Sequence, residues 1–240
     1  MTQITQIIDI INNELNVQAD PDYRELIRTR YHMNVDNFLG VRTPKIRKIA
    51  NEYYKSIKSE QIDKRLEFCG DLLETKIYEH KIIAFHWAYR SRKDFELKHL
   101  DLFSTWLKIY VDDWIDCDDL CTHVIGEFFL RYPQRASEVR LWTSSSNKWC
   151  RRGAAVSLVL PVRKGDQLDL AMQVADLLLT DEEDLVRKGY GWLLKVASKT
   201  YPEEIFQFVM ERREKIPRVA LRYAIEKLPA KQKSLAMKKN

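Results

Sequence analysis

Apolar residues recur along this chain at intervals of three and four, the period of an amphipathic helix, and strand-like alternation is nowhere sustained. The spacing predicts helices over 2–14, 21–30, 44–56, 59–74, 77–90, 95–109, 114–132, 135–144, 148–160, 167–179, 183–199, 202–214, 217–227 and 230–238. Several of these starts carry their own signals. Thr43-Pro44 and Tyr201-Pro202 each place a proline in a first helical turn, where its missing N–H is harmless. Asp181-Glu182-Glu183-Asp184 puts negative charge where a helix dipole favours it. Short helices with connections of a few residues predict an all-α chain of antiparallel helix pairs stacked as a curved α-solenoid. No fixed period with repeated letters is present, so the stacking follows from helix lengths, and a compact helical bundle is the alternative. The clearest break, Pro161-Val162-Arg163-Lys164-Gly165, reads as a short loop, and the expectation is one domain over 1–240.

Composition narrows the class. With 7 Gly and 7 Pro in 240 residues the chain is too poor in turn formers for an all-β fold. No apolar run approaches the ~18 residues of a membrane span, and the N-terminus lacks a secretory core, so a cytoplasmic protein is expected. The four cysteines, Cys69, Cys117, Cys121 and Cys150, are then expected to be reduced. Cys117 and Cys121, followed by His123, have a spacing seen in zinc sites, but no second ligand pair accompanies them. They read as small apolar residues on a buried face shared with Leu120, Val124 and Phe128, with no metal bound. The histidines, His32, His80, His86, His99 and His123, form no metal spacing and read as surface or half-buried helix residues. The aromatic-rich 77–89 reads as a packing helix. There is no Gly-rich phosphate loop and no G-x-S-x-G elbow.

Net charge is +5, and its distribution says more than its size. Basic residues concentrate in 42–48, 148–152, 187–188 and 212–222, a pattern that suits a polyanionic partner. Acids concentrate in 94–119 and 166–184.

Three helical segments each carry one residue at odds with its surroundings. In the run 112–119, Asp112, Asp113, Asp116 and Asp119 read as cap and solvent residues, the last two on a polar side beside His123. Asp118 instead lies about 40° from Trp114 around the helix, at the margin of an apolar face that continues through Ile125 and Phe129. Arg152 points into an apolar face made by Ala155, Val156, Val159 and Leu160, where a guanidinium needs an anion: an acid of the chain or a bound phosphate. Trp192 lies about 140° from the centre of its helix's apolar face, beside Lys188, Lys195 and Lys199. It is either packed on a neighbouring helix under lysine stems or set to stack on a nucleotide whose phosphates the lysines hold. Together, a carboxylate and two indoles suit a sugar developing positive charge, the state reached in glycosidic cleavage.

The ordered set of segments resembles the DNA alkylation repair family of HEAT-like helical-repeat glycosylases, over nearly the whole chain. Phe38-Leu39-Gly40-Val41-Arg42-Thr43-Pro44-Lys45-Ile46-Arg47 is similar to that family's aromatic-x-Gly-x-x-x-Pro-x-x-Arg motif, and 77–85 to its Tyr-Glu-x-x-x-x-Ala helix. Trp114-x-x-x-Asp118 resembles its Trp and catalytic Asp, Trp149-Cys150-Arg151-Arg152-Gly153-Ala154 its active-site Arg segment, and Lys188-Gly189-Tyr190-Gly191-Trp192 its second active-site Trp segment. Ile115 stands where the family commonly has Asp, and the run 117–121 is richer in cysteine.

The resemblance implies hydrolytic release of N3- or N7-alkylated purines from duplex DNA by a monomer without metal or organic cofactor. Asp118 would stabilise the sugar cation or position water, Trp114 and Trp192 would pack on the damaged nucleotide, and Arg152 would contact phosphate. Arg47, Lys148, Arg151, Lys188, Lys195 and Lys199 are the expected DNA-binding positions. The alternative is a non-catalytic helical-repeat protein that binds structured or branched nucleic acid; a third reading is a protein-interaction solenoid.

Overall fold

A computed structural model describes residues 3–31 and 35–238; the side chains of Gln3, Ile4 and Tyr31 lie outside the description, as do Thr2 and His32. Among the described residues there is no strand. The chain is all-helical, and no helix is long and apolar enough to cross a membrane. Packing divides it into two compact units, 1–96 and 97–240.

The first unit contains α1 (Gln3–Gln18), α2 (Pro21–Tyr31), α3 (Thr43–Ile57), α4 (Ile62–Glu74) and α5 (Tyr78–Arg90). Ile11 and Leu15 of α1, Ile46 and Ile49 of α3, and Leu66 and Leu72 of α4 are buried. The aromatic-rich α5 is the central packing helix expected, with Phe85 and Trp87 buried and the Trp87 indole donating to the Ala50 carbonyl at 2.7 Å. Two motif segments meet here. The fully buried Glu79 carboxylate accepts from the backbone N–H groups of Leu39, Gly40 and Val41 at 3.0–3.1 Å. Gly40, at φ +95°, turns the chain there; a Cβ on it would sit 2.6 Å from the Asp20 carbonyl.

The second unit contains α6 (His99–Ile109), α7 (Trp114–Asp119), α8 (Gly126–Arg131), α9 (Val139–Trp142), α10 (Lys148–Val156), α11 (Val159–Arg163), α12 (Leu168–Leu177), α13 (Asp184–Ala197), α14 (Pro202–Glu211), α15 (Arg218–Ala224) and α16 (Ala230–Met237). Phe103, Trp106, Phe128, Phe129 and Tyr190 are among its largest buried side chains. α10 packs against α6, α7 and α13, and α13 against α15.

Three expected helices differ in form; the one over 135–144 is a 3-10 helix through Glu138 that leads into the short α9. Over 114–132 the ladder widens into a π-turn at Leu120–Ile125, where the Gly126 N–H bonds to the Cys121 carbonyl five residues back. The Thr122 hydroxyl bonds back to the Asp118 carbonyl at 2.6 Å, a competing contact of the kind that loosens a helical ladder. Counting 100° per residue from Asp118 onward to Ile125 and Phe129 therefore fails, although both are buried. The helix expected over 148–160 breaks at Ser157-Leu158. Pro161 is the reason: in a continuous helix its ring would meet the carbonyl of residue 157. As the third residue of α11 it needs no N–H partner, so the expected loop at 161–165 is helical through Arg163.

Three polar expectations are corrected. Asp116 is 2% exposed, since it shares the buried side of α7 with Cys117 rather than facing solvent with Asp119. His80 and His99 are buried too. Each helix here meets neighbours on more than one side, which a single amphipathic stripe does not reveal.

Candidate active site

Asp113 starts the site by capping α7, accepting from the Ile115 N–H at 2.7 Å. This sets Trp114 in the first turn, 44% exposed, with Asp118 one turn on. Asn147 caps α10 in the same way, accepting from the Trp149 N–H at 2.8 Å, and α10 carries Arg152 to α7. Cys117 ties the two helices behind the site, its thiol 3.6 Å from the Trp149 carbonyl.

Arg152 and Asp118 meet in a two-pronged pair. Nε donates to Oδ1 and Nη2 to Oδ2, each at 2.9 Å. Nη1 donates to the Leu185 carbonyl of α13 at 2.5 Å, so all three guanidinium nitrogens are engaged. Of the two anions open to Arg152, the acid of the chain is the one observed. The Arg152 side chain is 6% exposed and that of Asp118 21%, so the acid is the more open partner of the pair. Burial pushes the Asp118 carboxyl above the usual carboxylate range, while the Arg152 hydrogen bonds and charge hold it down. Burial works against the Arg152 charge, and Asp118 more than offsets it.

Trp192 joins through α13. It lies about 20° from Leu185 around that helix and about 10 Å further along it. It is half-buried, on the same stripe as Lys188, Lys195 and the exposed Lys199. Thus Asp118 and Arg152 are in direct contact, Trp114 is one turn from Asp118, and Trp192 is two turns from the carbonyl that Arg152 holds.

The expected DNA-binding side chains differ in availability. Arg151 is bound to Asp181 at 2.6 Å and to the Ser145 and Ser146 carbonyls. Lys195 pairs with Glu226 at 2.6 Å. Lys148 sits 3.7 Å from Glu183 and over the Trp149 ring. Lys188 and Lys199 carry no ion pair among the described residues, and neither does Arg47, which is exposed on α3 in the first unit. Cys117, Cys121 and Cys150 are buried thiols, the apolar reading of those positions, and burial raises the Cys117 and Cys150 thiols.

Sequence reasoning missed Leu185 and Gly189. The first acts through its carbonyl, which no sequence pattern marks. The second had a signal, a glycine in a helix interior.

Fold and site together define an all-α protein with an acid clamped by a guanidinium, and with partly exposed indoles on the helices that carry the acid and the carbonyl bound to that guanidinium. The family model for the DNA alkylation repair enzyme matches residues 11–228, and the chain belongs to that family. It is a member of a family of DNA repair enzymes, for which DNA is the substrate. A solved structure described as a predicted DNA alkylation repair enzyme from Enterococcus faecalis shares the fold, with a TM-score of 0.76 at 18% identity over 89% of this chain and 98% of that one. No curated protein sequence matches.

Proposed function

We propose that this protein is a DNA glycosylase that hydrolyses the N-glycosidic bond of N3- or N7-alkylated purines in duplex DNA. The observation that carries the reading is the Asp118 carboxylate, half-buried, held at 2.9 Å by two Arg152 nitrogens, and one helical turn from Trp114. A preoriented anion in a low-dielectric site stabilises developing positive charge without reorganising. As the C1′–N bond breaks, its electron pair passes to the alkylated purine, which leaves neutral. The deoxyribose takes up positive charge at C1′, water adds there, and its proton goes to solvent. Because the leaving base begins as a cation, no general acid is required, and none is assigned. Trp114 and Trp192 offer faces for the nucleotide. Arg152 acts by positioning Asp118, not by binding phosphate, since its nitrogens are engaged. Lys188 and Lys199 are the proposed phosphate contacts; Arg47, Lys148, Arg151 and Lys195 are assigned to DNA on the family resemblance.

Incubation with methylated duplex DNA, followed by identification of the released base, tests this. Asp118→Asn is expected to slow release by roughly 100-fold or more while retaining DNA binding. Equal release by both proteins would refute the role of Asp118. One observation favours the second reading, a non-catalytic binder of structured or branched nucleic acid: both Asp118 oxygens are engaged by Arg152. That reading predicts salt-sensitive binding with no base released at any enzyme concentration.

A further inference from the structure

Gly189 is where α13 passes over the Arg152 side chain. A Cβ at this position would lie 3.2 Å from Arg152 Cγ and 3.3 Å from Nη1, with Val156 Cγ2 at 3.5 Å. The guanidinium is held from two directions. Its Nη1 is bonded to the Leu185 carbonyl on one side, and Nε and Nη2 are bonded to Asp118 on the other. The Leu185 carbonyl is also the acceptor that α-helical geometry assigns to the Gly189 N–H, so Arg152 takes its second lone pair.

Other glycines nearby make room for packing instead. A Cβ on Gly153 would meet Leu107 Cδ2 at 2.6 Å and Cys121 Sγ at 3.2 Å. One on Gly191 would meet Tyr223 Cβ at 2.8 Å and the Ala220 carbonyl at 3.1 Å. Gly189 alone of the three faces a side chain that holds Asp118. Glycine is otherwise a poor choice for a helix interior.

We infer that Gly189 is a positioning residue for Asp118. Its missing side chain lets the guanidinium lie between the Leu185 carbonyl and the carboxylate, and so sets the orientation and charge of Asp118. The catalytic consequence rests on the role proposed for Asp118 above; the geometric one does not.

The test compares Gly189→Ala with Gly191→Ala, which adds a methyl on the same helix against α15. The Asp118 carboxyl is titrated by NMR in the free proteins, folding is followed by thermal melting, and kcat/KM is measured against pH on methylated DNA. Gly189→Ala is expected to fold, to titrate Asp118 about one pH unit higher because the guanidinium is displaced, and to move the acid limb of kcat/KM upward equally. Gly191→Ala is expected to change melting and leave the Asp118 titration at the wild-type position. An unmoved Asp118 titration in folded Gly189→Ala overturns the inference. So does an equal movement in Gly191→Ala, or a Gly189→Ala protein that does not fold. The Gly189→Ala titration carries the decision by itself if Gly191→Ala is unstable. Absence of base release by the wild-type protein would count against the glycosylase reading and leave the titration result standing.

Discussion

At the scale of single residues, a half-buried acid and a buried imidazole make opposite statements about pH. Asp118 is pushed up by burial, so it takes a proton at a higher pH than an exposed aspartate. If its carboxylate stabilises the sugar cation, base release falls as pH drops through that raised value, and the acid limb disappears in Asp118→Asn. A pH–rate profile of both proteins measures this. His80 goes the other way. Its Nδ1 lies 2.8 Å from the Thr75 hydroxyl, its Nε2 is buried without a partner, and burial pushes its pKa down to about 4. The folded state therefore binds the proton less readily than the unfolded state between about pH 6.5 and pH 4. Stability is present above that window and declines as pH falls through it. At pH 5 the decline contributed by His80 is about 2 kcal/mol relative to pH 7. Urea unfolding at the two pH values should show it in the wild type, and His80→Gln should lack that part. Asp118, Arg152 and Trp192 stood out in the sequence because each is the wrong type for its helical face. The burial of His80 and Asp116 did not, because one-stripe periodicity says nothing about a helix covered on several sides.

At the scale of elements, the site depends on two capped helix starts and one irregular turn. Asn147 satisfies an otherwise orphaned N–H at the start of α10. Asn147→Ala is expected to cost about 1 kcal/mol and lower the melting temperature by about 3 °C, measurable by calorimetry. The Asp113 cap was legible among the acids of 112–119, whereas Asn147 was not singled out in the sequence. The break at Ser157 was legible only as a proline four residues later, and it fell earlier than the proline itself because the ring acts on the preceding turn. The π-turn at Leu120–Ile125 had no sequence mark. Its Thr122 hydroxyl bonds to the Asp118 carbonyl, as threonines in regular helices also do, so the residue type does not announce the turn.

At the scale of the whole molecule, a net charge of +5 does not say which of the cations near the site are free. Arg151, Lys148 and Lys195 each have an acidic neighbour within 3.7 Å or less. The expectation is a modest electrostatic interface in which Lys188 and Lys199 count for more than those three. Binding to duplex DNA should weaken with salt, and Lys188→Gln and Lys199→Gln should each lower the slope of log affinity against log salt by about one. Equivalent substitutions at Arg151 or Lys195 should change the slope less. Fluorescence anisotropy across a salt series distinguishes the two groups.

Helical class, most element positions and the oddness of Asp118, Arg152, Trp114 and Trp192 were determined by the sequence alone, because turns, caps and amphipathic faces arise from residues within four or five positions of one another. The tertiary structure decided which anion Arg152 meets. That choice joins residues 34 apart in sequence and depends on where α7, α10 and α13 come to rest. It also brought in a backbone carbonyl at Leu185 and the bare α-carbon of Gly189. The carbonyl has no sequence mark and the glycine only that of its place inside a helix, and both matter because packing places them against the Arg152 guanidinium.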